Sequence, residues 1–427
     1  MKKLKSEKLK SQKRILSQKL TLKISALLTA LIMILTLGAV HASAESGSPV
    51  YSADDQFSSR DLRQEADLSG AVTYELADGQ DIHLSAEGVY VLKGTAKNVT
   101  VYVEASKEEK IQIVLDGANV TNDSFPVIYA KQADKVFVTV SGDSSLSVTG
   151  NFTADGDTNT DGVIFARCDL VLNGTAQLTV SSSVNGIVCK DDLKITGGTY
   201  VISAGKKAVD ANDSIRIAGG SLTLTAGTDG LHAENEDDDS LGYIYICGGS
   251  LAIQAGDDGI HATSVIQIDD GSIDISAKEG IEGTYIQING GTISIRSSDD
   301  GINAARKSGS YQPTVEINGG EITVAMGAGD TDGIDSNGDI IMNGGTVTVT
   351  GNSTFDYDSS GQYNGGTIIA NGQQISYIPN QMMGGGGRGG WGGQNGGWGE
   401  GQGSWGGQGG FGGQGGYGGG PGGRRGR

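Results

Sequence analysis

Residues 243–262 read YIYICGGSLAIQAGDDGIHA, and this stretch decides the fold. Apolar residues alternate with other residues at 243–246, a Gly-Gly pair follows, the alternation resumes at 250–254, and an acidic-Gly turn at 257–259 leads to one more apolar residue. Alternation with a period of two places the apolar side chains on one face of a strand, and glycine permits bends that a Cβ would strain. The stretch therefore predicts three short strands separated by two turns, without a helix.

The same pattern recurs seven times between Leu193 and Thr348. The second position of the bend is a glycine that returns every 20 to 29 residues, at Gly198, Gly220, Gly249, Gly271, Gly291, Gly320, Gly345 and Gly366. Such units bury their apolar faces by stacking, with each strand bonded to its copy about 4.8 Å away. The sequence therefore predicts an all-β fold, a right-handed parallel β-helix with three-stranded coils. A leucine-rich repeat is the rival at this period, but it requires Leu-x-x-Leu-x-Leu and an asparagine ladder, and we expect neither here.

The longer spacings indicate loops that leave the stack. Two of them are Glu234–Leu241 and Ala305–Gln312, and a third precedes Asp332. All three lie near the acidic turn. One edge of the stack is therefore expected to carry the additional structure, and in repeat proteins such an edge is often the binding edge.

The N-terminal 44 residues have the features of a secretory signal. A basic stretch, Lys2–Lys23, precedes an apolar run at 24–40 and the small-x-small sequence Ala42-Ser43-Ala44. This pattern predicts cleavage after Ala44 and a secreted or cell-surface protein. A retained anchor is the alternative, because the run approaches the roughly 20 residues of a membrane span.

Three further segments follow the signal. Residues 45–70 are expected to be a leader whose short helix, at 54–66, caps the open end of the stack. Residues 71–383 are expected to form the β-helix. Residues 384–427 are mostly glycine and contain all three tryptophans; the composition predicts a disordered tether. Attachment of its aromatic rings to glycan or to other tails is the alternative.

The chain is strongly acidic, with a formal net charge of −19. Because both termini are net basic, the acidic charge is concentrated between them. This argues against nucleic acid and anionic membranes as partners and favours divalent cations, although solubility alone also favours acidic extracellular proteins. The three cysteines are expected to be unpaired, because Cys168 and Cys189 fall out of register in neighbouring coils.

Aligning the repeats places polar residues in two rows near the acidic turn. Carboxylates repeated about 5 Å apart repel one another unless a cation neutralises them, and oxygen donors suit calcium. The alternative is a plain Asp-Gly turn. The turn row is Asp161, Asn185, Lys207, Asp229, Asp258, Glu279, Asp300 and Asp332. The strand row, three residues later, is Asp210, His232, His261, Glu282, Asn303 and Asp335.

Two loops, Asp157–Gly162 and Asp356–Gly361, resemble the opening of a calcium-binding loop. Each has oxygen-bearing side chains at alternating positions before a glycine. Neither loop completes an EF-hand. The acidic loop 234–239 is expected either to bind calcium or to be solvated, and His232 and His261 either to share a transition metal or to form part of a polar ladder. Calcium is the predicted cofactor, with ligands among Asp157, Asn159, Asp161, Asp229, Asp257, Asp258, Asp299, Asp300, Asp330, Asp332, Asp335, Asp356 and Asp358.

The outward positions of the first strand form a candidate carbohydrate-binding row. Flat sheets that carry aromatic and amide side chains suit sugar chains, and cations suit uronate carboxylates. An ordinary solvated face fits the same residues equally well. The row consists of Lys194, Arg216, Tyr245, Gln267 and Gln287.

Several segments resemble the carbohydrate-binding parallel β-helix family typified by a clostridial cellulose- and pectin-binding surface protein. They are IVLDG at 113–117, DDLKITGGT at 191–199, GDDGIHA at 256–262, INGG at 317–320 and GDTDGIDSN at 329–337. The resemblance extends over roughly Phe57–Met383. It implies a fold like that of polysaccharide lyases, binding of plant polysaccharides including acidic galacturonan, and bound calcium, without established catalysis.

The leading expectation is therefore a monomeric, calcium-binding protein that binds cellulose or pectic polysaccharide, with no nucleic-acid partner and no membrane span after signal cleavage. One alternative is an enzyme, a calcium-dependent pectate-lyase-like protein, whose base would be Lys207, Lys278, Arg296 or Arg306. A second alternative is a structural surface protein that binds no glycan.

Overall fold

Strand pairing follows the repeat along the part of the chain that the computed structural model describes, residues 49–328 and 331–381. These residues form strands in two sheets and one short helix, Ala53–Gln56. Nearly every strand pairs in parallel with its counterpart one repeat away, and the last pair, Thr367–Ala370 with Gln373–Ile375, is antiparallel. The prediction of an all-β fold with parallel strands is confirmed. No helix among these residues is long and apolar enough to cross a membrane.

Sheet A contains the first and second strands of each repeat, on either side of the Gly-Gly bend. Its strands are Val72–Glu75, Gly88–Lys97, Lys110–Asn122, Lys135–Gly142, Ser144–Val148, Asp169–Gly174, Gln177–Ser182, Asp192–Ile195, Thr199–Ala204, Ser214–Ile217, Ser221–Ala226, Tyr243–Ala255, Val265–Ala277, Tyr285–Ile288, Thr292–Ser297, Thr314–Ile317, Glu321–Met326, Asp339–Met342, Thr346–Thr350, Ser360–Tyr363, Thr367–Ala370 and Gln373–Ile375.

Sheet B contains the third strand, which follows the acidic turn. Its strands are Ile82–Leu84, Val101–Glu104, Ile128–Gln132, Gly162–Ala166, Asn185–Cys189, Val209–Ala211, Leu231–Ala233, Asp258–Ala262, Glu279–Gly283, Ile302–Ala304, Asp332–Ser336 and Ser353–Tyr357.

The alternating apolar side chains form one continuous core between the sheets. In the repeat at 243–262, Ile244, Ile246, Leu251 and Ile260 are all at most 1% exposed. All three cysteines are free, as predicted.

The glycine at the second position of every bend has a left-handed backbone. At the eight predicted positions φ lies between +78° at Gly345 and +124° at Gly271. Residues with a Cβ rarely adopt this conformation. The repeated glycine is therefore required by the backbone angle of the bend.

The glycine of the acidic turn is required for a different reason, close approach of neighbouring repeats. A Cβ added at Gly280 would lie 2.3 Å from the carbonyl oxygen of Gly301 and 2.5 Å from Ile295 Cγ2. A Cβ added at Gly259 or Gly301 would likewise meet a backbone oxygen of the next repeat and a packed side chain. Asp-Gly is thus more than a turn dipeptide here, because the glycine permits the repeats to stack.

An asparagine ladder runs along the Gly-Gly bends. Asn318 donates to Asn289 at 2.8 Å, Asn343 donates to Asn318 at 2.7 Å, and Asn364 donates to Asn343 at 2.7 Å. Asn289 donates in turn to Asp269 at 2.7 Å. The expectation that the sequence lacks an asparagine ladder is therefore wrong. Each side-chain amide both donates and accepts, so the ladder extends from repeat to repeat.

Residues 49–66, which we call the N-terminal strap, lie along the outer face of sheet A. The strap contacts residues far along the chain, including Gln267 through Tyr51 and Lys194 through Asp61. The expected cap over the open end, with a helix at 54–66, is therefore wrong: the helix ends at Gln56, and the segment covers the side of the sheet. The polar side chains of the first strand provide partners there.

We predict that Gly280→Ala destabilises the protein by about 1–3 kcal/mol, because the methyl group would meet backbone and a packed isoleucine. Urea unfolding measures the change. Gly309→Ala is the matched control, since the nearest atom there is the end of the Asp239 side chain, at 3.1 Å. Equal stability of the two variants would contradict the close-approach explanation.

We predict that Asn318→Ala lowers the free energy of unfolding by about 1–3 kcal/mol, because it removes two ladder hydrogen bonds within a partly buried row. Asn364→Ala, which removes one bond at the exposed end of the ladder, should cost less, about 0.5–1.5 kcal/mol. Chemical denaturation of both variants tests this order, and the reverse order would refute it.

Candidate functional site

The predicted strand row exists on the outer face of sheet B. Strand pairing aligns Asp210 with His232, His232 with His261, and His261 with Glu282. The alignment continues through Asn303 and Asp335. One polar row therefore crosses successive repeats, and the turn row lies beside it, with Asp258 paired to Glu279.

Lys207 of the turn row contacts the first two residues of this strand row, Asp210 and His232. Lys207 Nζ lies 3.2 Å from Asp210 Oδ1 and 3.0 Å from His232 Nδ1. His232 Nδ1 is also 2.9 Å from Asp210 Oδ1. Burial alone would raise the pKa of Asp210, but His232 and Lys207 outweigh it and lower that pKa. These residues line an open polar cleft with Lys190, Asn212 and the loop at 234–237.

The next group consists of Asp258, His261 and Glu282. His261 Nδ1 lies 2.6 Å from Asp258 Oδ2 and 3.0 Å from Glu282 Oε2. Burial disfavours the imidazolium, but the hydrogen bonds to the two carboxylates outweigh it and raise the pKa of His261 to about 9. The rings of His232 and His261 stack with centroids 4.8 Å apart. Each histidine therefore directs its Nδ1 to its own acidic partners, and the two rings do not converge on one point.

A second carboxylate group lies on the turn side. Asp229, Asp257 and Asp258 place ligand oxygens within 4.8 Å of one another. Lys278 Nζ lies 3.2 Å from Asp257 Oδ1 and 3.6 Å from Asp299 Oδ2. Part of the predicted metal row is thus neutralised by an exposed lysine.

Farther along, four carboxylates gather from successive repeats, at Asp300, Asp332, Asp335 and Asp356. Burial and the charges of the other three raise the pKa of Asp335 to about 7. Burial, with the charges of Asp299 and Asp332, raises the pKa of Asp300 to about 6. Asp356 Oδ1 is buried and has no hydrogen-bond partner within the described ranges. We call these four residues the aspartate cluster.

The remaining predicted metal ligands are less concentrated. Asn159 donates its amide to Asp161 Oδ2 at 2.8 Å, and Asp157 and Asp358 are exposed. Asp330 lies outside the described residues, as do the predicted signal peptide at 1–44 and the tail at 384–427.

Polar groups of the acidic loop at 234–241 form hydrogen bonds both within the loop and with the second long loop. Asn235 Oδ1 accepts from the backbone of Asp237 and Asp238. Asp239 accepts from Gly309 N and Ser310 Oγ, both at 2.7 Å. The two long loops therefore meet on one edge, as predicted.

The predicted carbohydrate row is covered by the N-terminal strap. Gln267 exchanges two hydrogen bonds with the backbone of Tyr51, at 2.7 and 2.9 Å, and Lys194 donates to Asp61 at 3.0 Å. Tyr245, Gln267 and Gln287 are at most 1% exposed and Lys194 is 7% exposed. Arg216 contacts Asp192 and the Tyr243 ring. The premise that this row faces solvent is wrong, because the strap uses the same side chains.

The four bases considered for a lyase form no common site. Lys207 and Lys278 are engaged with the acidic rows, and Arg296 pairs with Asp274 at 2.7 Å on sheet A. Arg306 is exposed in a loop.

Sequence reasoning missed a further carboxylate group at the turn between sheet B and sheet A. Asp169, Asp191 and Asp192 place ligand oxygens within 4.8 Å of one another, and burial with neighbouring charges raises the pKa of Asp191 to about 6. Asp191 also lines a cleft with Lys131 and Arg167. Aligning the residues before the first strand, in addition to the acidic turn, would have indicated this group.

The fold and the site together define a class: an all-β protein of stacked parallel repeats with carboxylate-rich polar faces. Comparison with known proteins identifies the family. The family model described as "Carbohydrate-binding domain-containing protein" matches residues 78–333, and the chain belongs to this family. The resemblance noted in the sequence is confirmed.

Two relatives illustrate the likeness. A carbohydrate-binding domain-containing protein of Acetivibrio thermocellus is 32% identical over 130 residues, which are 29% of this chain and 46% of the relative. The match thus spans less than half of that relative. A solved structure described as a polysaccharide lyase-like protein from C. thermocellum, a gadolinium derivative, is 28% identical with a TM-score of 0.45, over 52% of this chain and 93% of that one.

We predict that Asp61→Asn destabilises the protein by about 3–5 kcal/mol, because it leaves the buried Lys194 without its carboxylate. Urea unfolding measures the loss. Glu65→Gln, an exposed change in the same strap, is the control and should stay within about 0.5 kcal/mol of the parent.

The pH dependence provides a second test of the same contact. Burial alone would raise the pKa of Asp61, but hydrogen bonds from Ser58 N and Lys194 outweigh it and lower that pKa. The stabilisation is therefore complete above the ordinary aspartate pKa of about 4 and is lost as the pH falls through the lowered pKa. A stability gap between parent and variant that does not narrow in acid would contradict the assignment.

Proposed function

We propose that this chain is a secreted or cell-surface protein that binds calcium and polysaccharide of the plant cell-wall type, either cellulose or acidic pectic chains. We propose further that it acts as a monomer and that its repeats wind as a right-handed parallel β-helix. The observation that carries the polysaccharide part is membership of the carbohydrate-binding family over residues 78–333.

The open face of sheet B is the proposed polysaccharide surface. The strap covers the outward row of sheet A, whereas the sheet B cleft beside Lys207 and His232 is open and lined by charged and amide side chains. Such groups exchange hydrogen bonds with sugar hydroxyls, and Lys190 and Lys207 suit sugar carboxylates. A chain that follows the stacking direction would meet equivalent positions at each repeat.

The aspartate cluster is the proposed calcium site. Its donors are all carboxylate oxygens, which a hard cation prefers. Burial and the charges of the neighbouring aspartates raise the pKa of Asp335, and a divalent ion would relieve the repulsion among these carboxylates. The buried, unbonded Oδ1 of Asp356 fits a ligand oxygen. Calcium there would neutralise charge that the stack otherwise brings together.

The prediction is that calcium raises the thermal unfolding midpoint and that EDTA reverses the rise, since an ion that binds only the folded state stabilises it by about 2.7 kcal/mol at 100 times its dissociation constant. Retention of the purified chain on insoluble cellulose and on cross-linked pectate, with calcium and with EDTA, measures the coupled glycan binding.

The double variant Asp300→Asn, Asp335→Asn should lose the calcium response. Asp274→Asn, an exposed carboxylate on sheet A, should keep it. Absence of retention on either matrix under both conditions would overturn the polysaccharide proposal. Retention with no calcium response would overturn only its calcium part.

A further inference from the structure

The group formed by Asp258, His261 and Glu282 differs from the acidic groups around it, because a neutral imidazole nitrogen can join two carboxylates as a metal donor. Its three ligand atoms lie within 4.8 Å of one another. Nδ1 is 2.6 Å from one carboxylate oxygen and 3.0 Å from the other. Ligand bonds of about 2.0–2.2 Å place neighbouring donor atoms roughly 3 Å apart. The side chains are thus already gathered around one point.

The side chains of this group are largely shielded from solvent. The exposed fractions are 9% for Asp258, 12% for His261 and 10% for Glu282. The second oxygen of Glu282, Oε1, accepts from Lys307 Nζ at 2.9 Å. Such an outer partner orients a ligating carboxylate. Oε2 is thereby turned towards His261.

The two preceding repeats provide an internal comparison. There the same two rows bring together His232, Asp210 and Lys207, and the lysine ammonium lies 3.0 Å from His232 Nδ1 and 3.2 Å from Asp210. The chain itself therefore supplies a cation at that position. His261 instead contacts Asp258 of its own repeat and Glu282 of the next repeat, so two carboxylates face the nitrogen and the position is suited to an added cation.

We propose that Asp258, His261 and Glu282 bind a divalent transition-metal ion such as Zn²⁺ or Co²⁺. One imidazole nitrogen and two carboxylate oxygens are a donor set that these ions accept, whereas calcium selects oxygen alone. The ion replaces the Nδ1 proton and bonds to all three side chains, with its remaining positions open to water or to a ligand on sheet B. His232 is no part of the site, because its ring stacks on His261 and its Nδ1 is bonded to Asp210 and Lys207.

Cobalt provides the direct test, because ligation by an imidazole shifts and strengthens the visible absorption bands that Co²⁺ has in water. Titration of the purified chain with Co²⁺, in an excess of Ca²⁺, should give bands that saturate at one ion per chain and that Zn²⁺ displaces. His261→Gln and Glu282→Gln should each weaken the affinity more than about tenfold. His232→Gln, the matched change one repeat away, should leave it unchanged.

Unfolding in urea controls for loss of structure, and a folded Glu282→Gln decides the question if His261→Gln does not fold. Three results would overturn the proposal: no saturable bands, equal binding by the parent and a folded Glu282→Gln, or loss of binding in His232→Gln alone. Displacement of Co²⁺ by calcium at comparable concentration would also overturn it, because the site would then not select a transition metal.

Discussion

Parallel stacking is the constraint on which the rest of this structure depends. Each strand pairs with the strand at the same place in the next repeat, so every side chain lies about 4.8 Å from its counterpart. A residue type that recurs at one position of the repeat therefore forms a row along the stack. Isoleucine rows form the core, glycine columns permit close approach of the backbone, and asparagine rows bond along their length.

The same constraint is unfavourable for charged residues. Carboxylates at one position are forced together, and burial with neighbouring charge raises the pKa values of Asp300, Asp335 and Glu279. The chain relieves this repulsion locally in different ways: Lys207 is inserted beside His232, Lys278 lies between two aspartates, and His261 faces two carboxylates. In the aspartate cluster, the proposed calcium ion would relieve the same repulsion.

The N-terminal strap changes which face of the molecule is open. It lies across sheet A and forms hydrogen bonds with side chains that would otherwise face solvent. The two bonds between the Gln267 side chain and the Tyr51 backbone are an example. Family membership indicates carbohydrate binding. On sheet B, by contrast, an open cleft is lined by Lys190, Lys207 and the loop at 234–237.

The sequence by itself determined the strands, the core positions, the left-handed glycine bends and the polar rows, because each follows from a pattern that repeats every 20 to 29 residues. Only the tertiary structure decided which rows are accessible and which side chains meet. The contact between Asp61 and Lys194 joins residues 133 positions apart, and nothing in the local pattern encodes it. The convergence of Asp258, His261 and Glu282 likewise depends on side-chain directions across two rows. A repeat specifies its neighbours in the stack through periodicity, whereas contacts between different rows depend on how the whole chain folds.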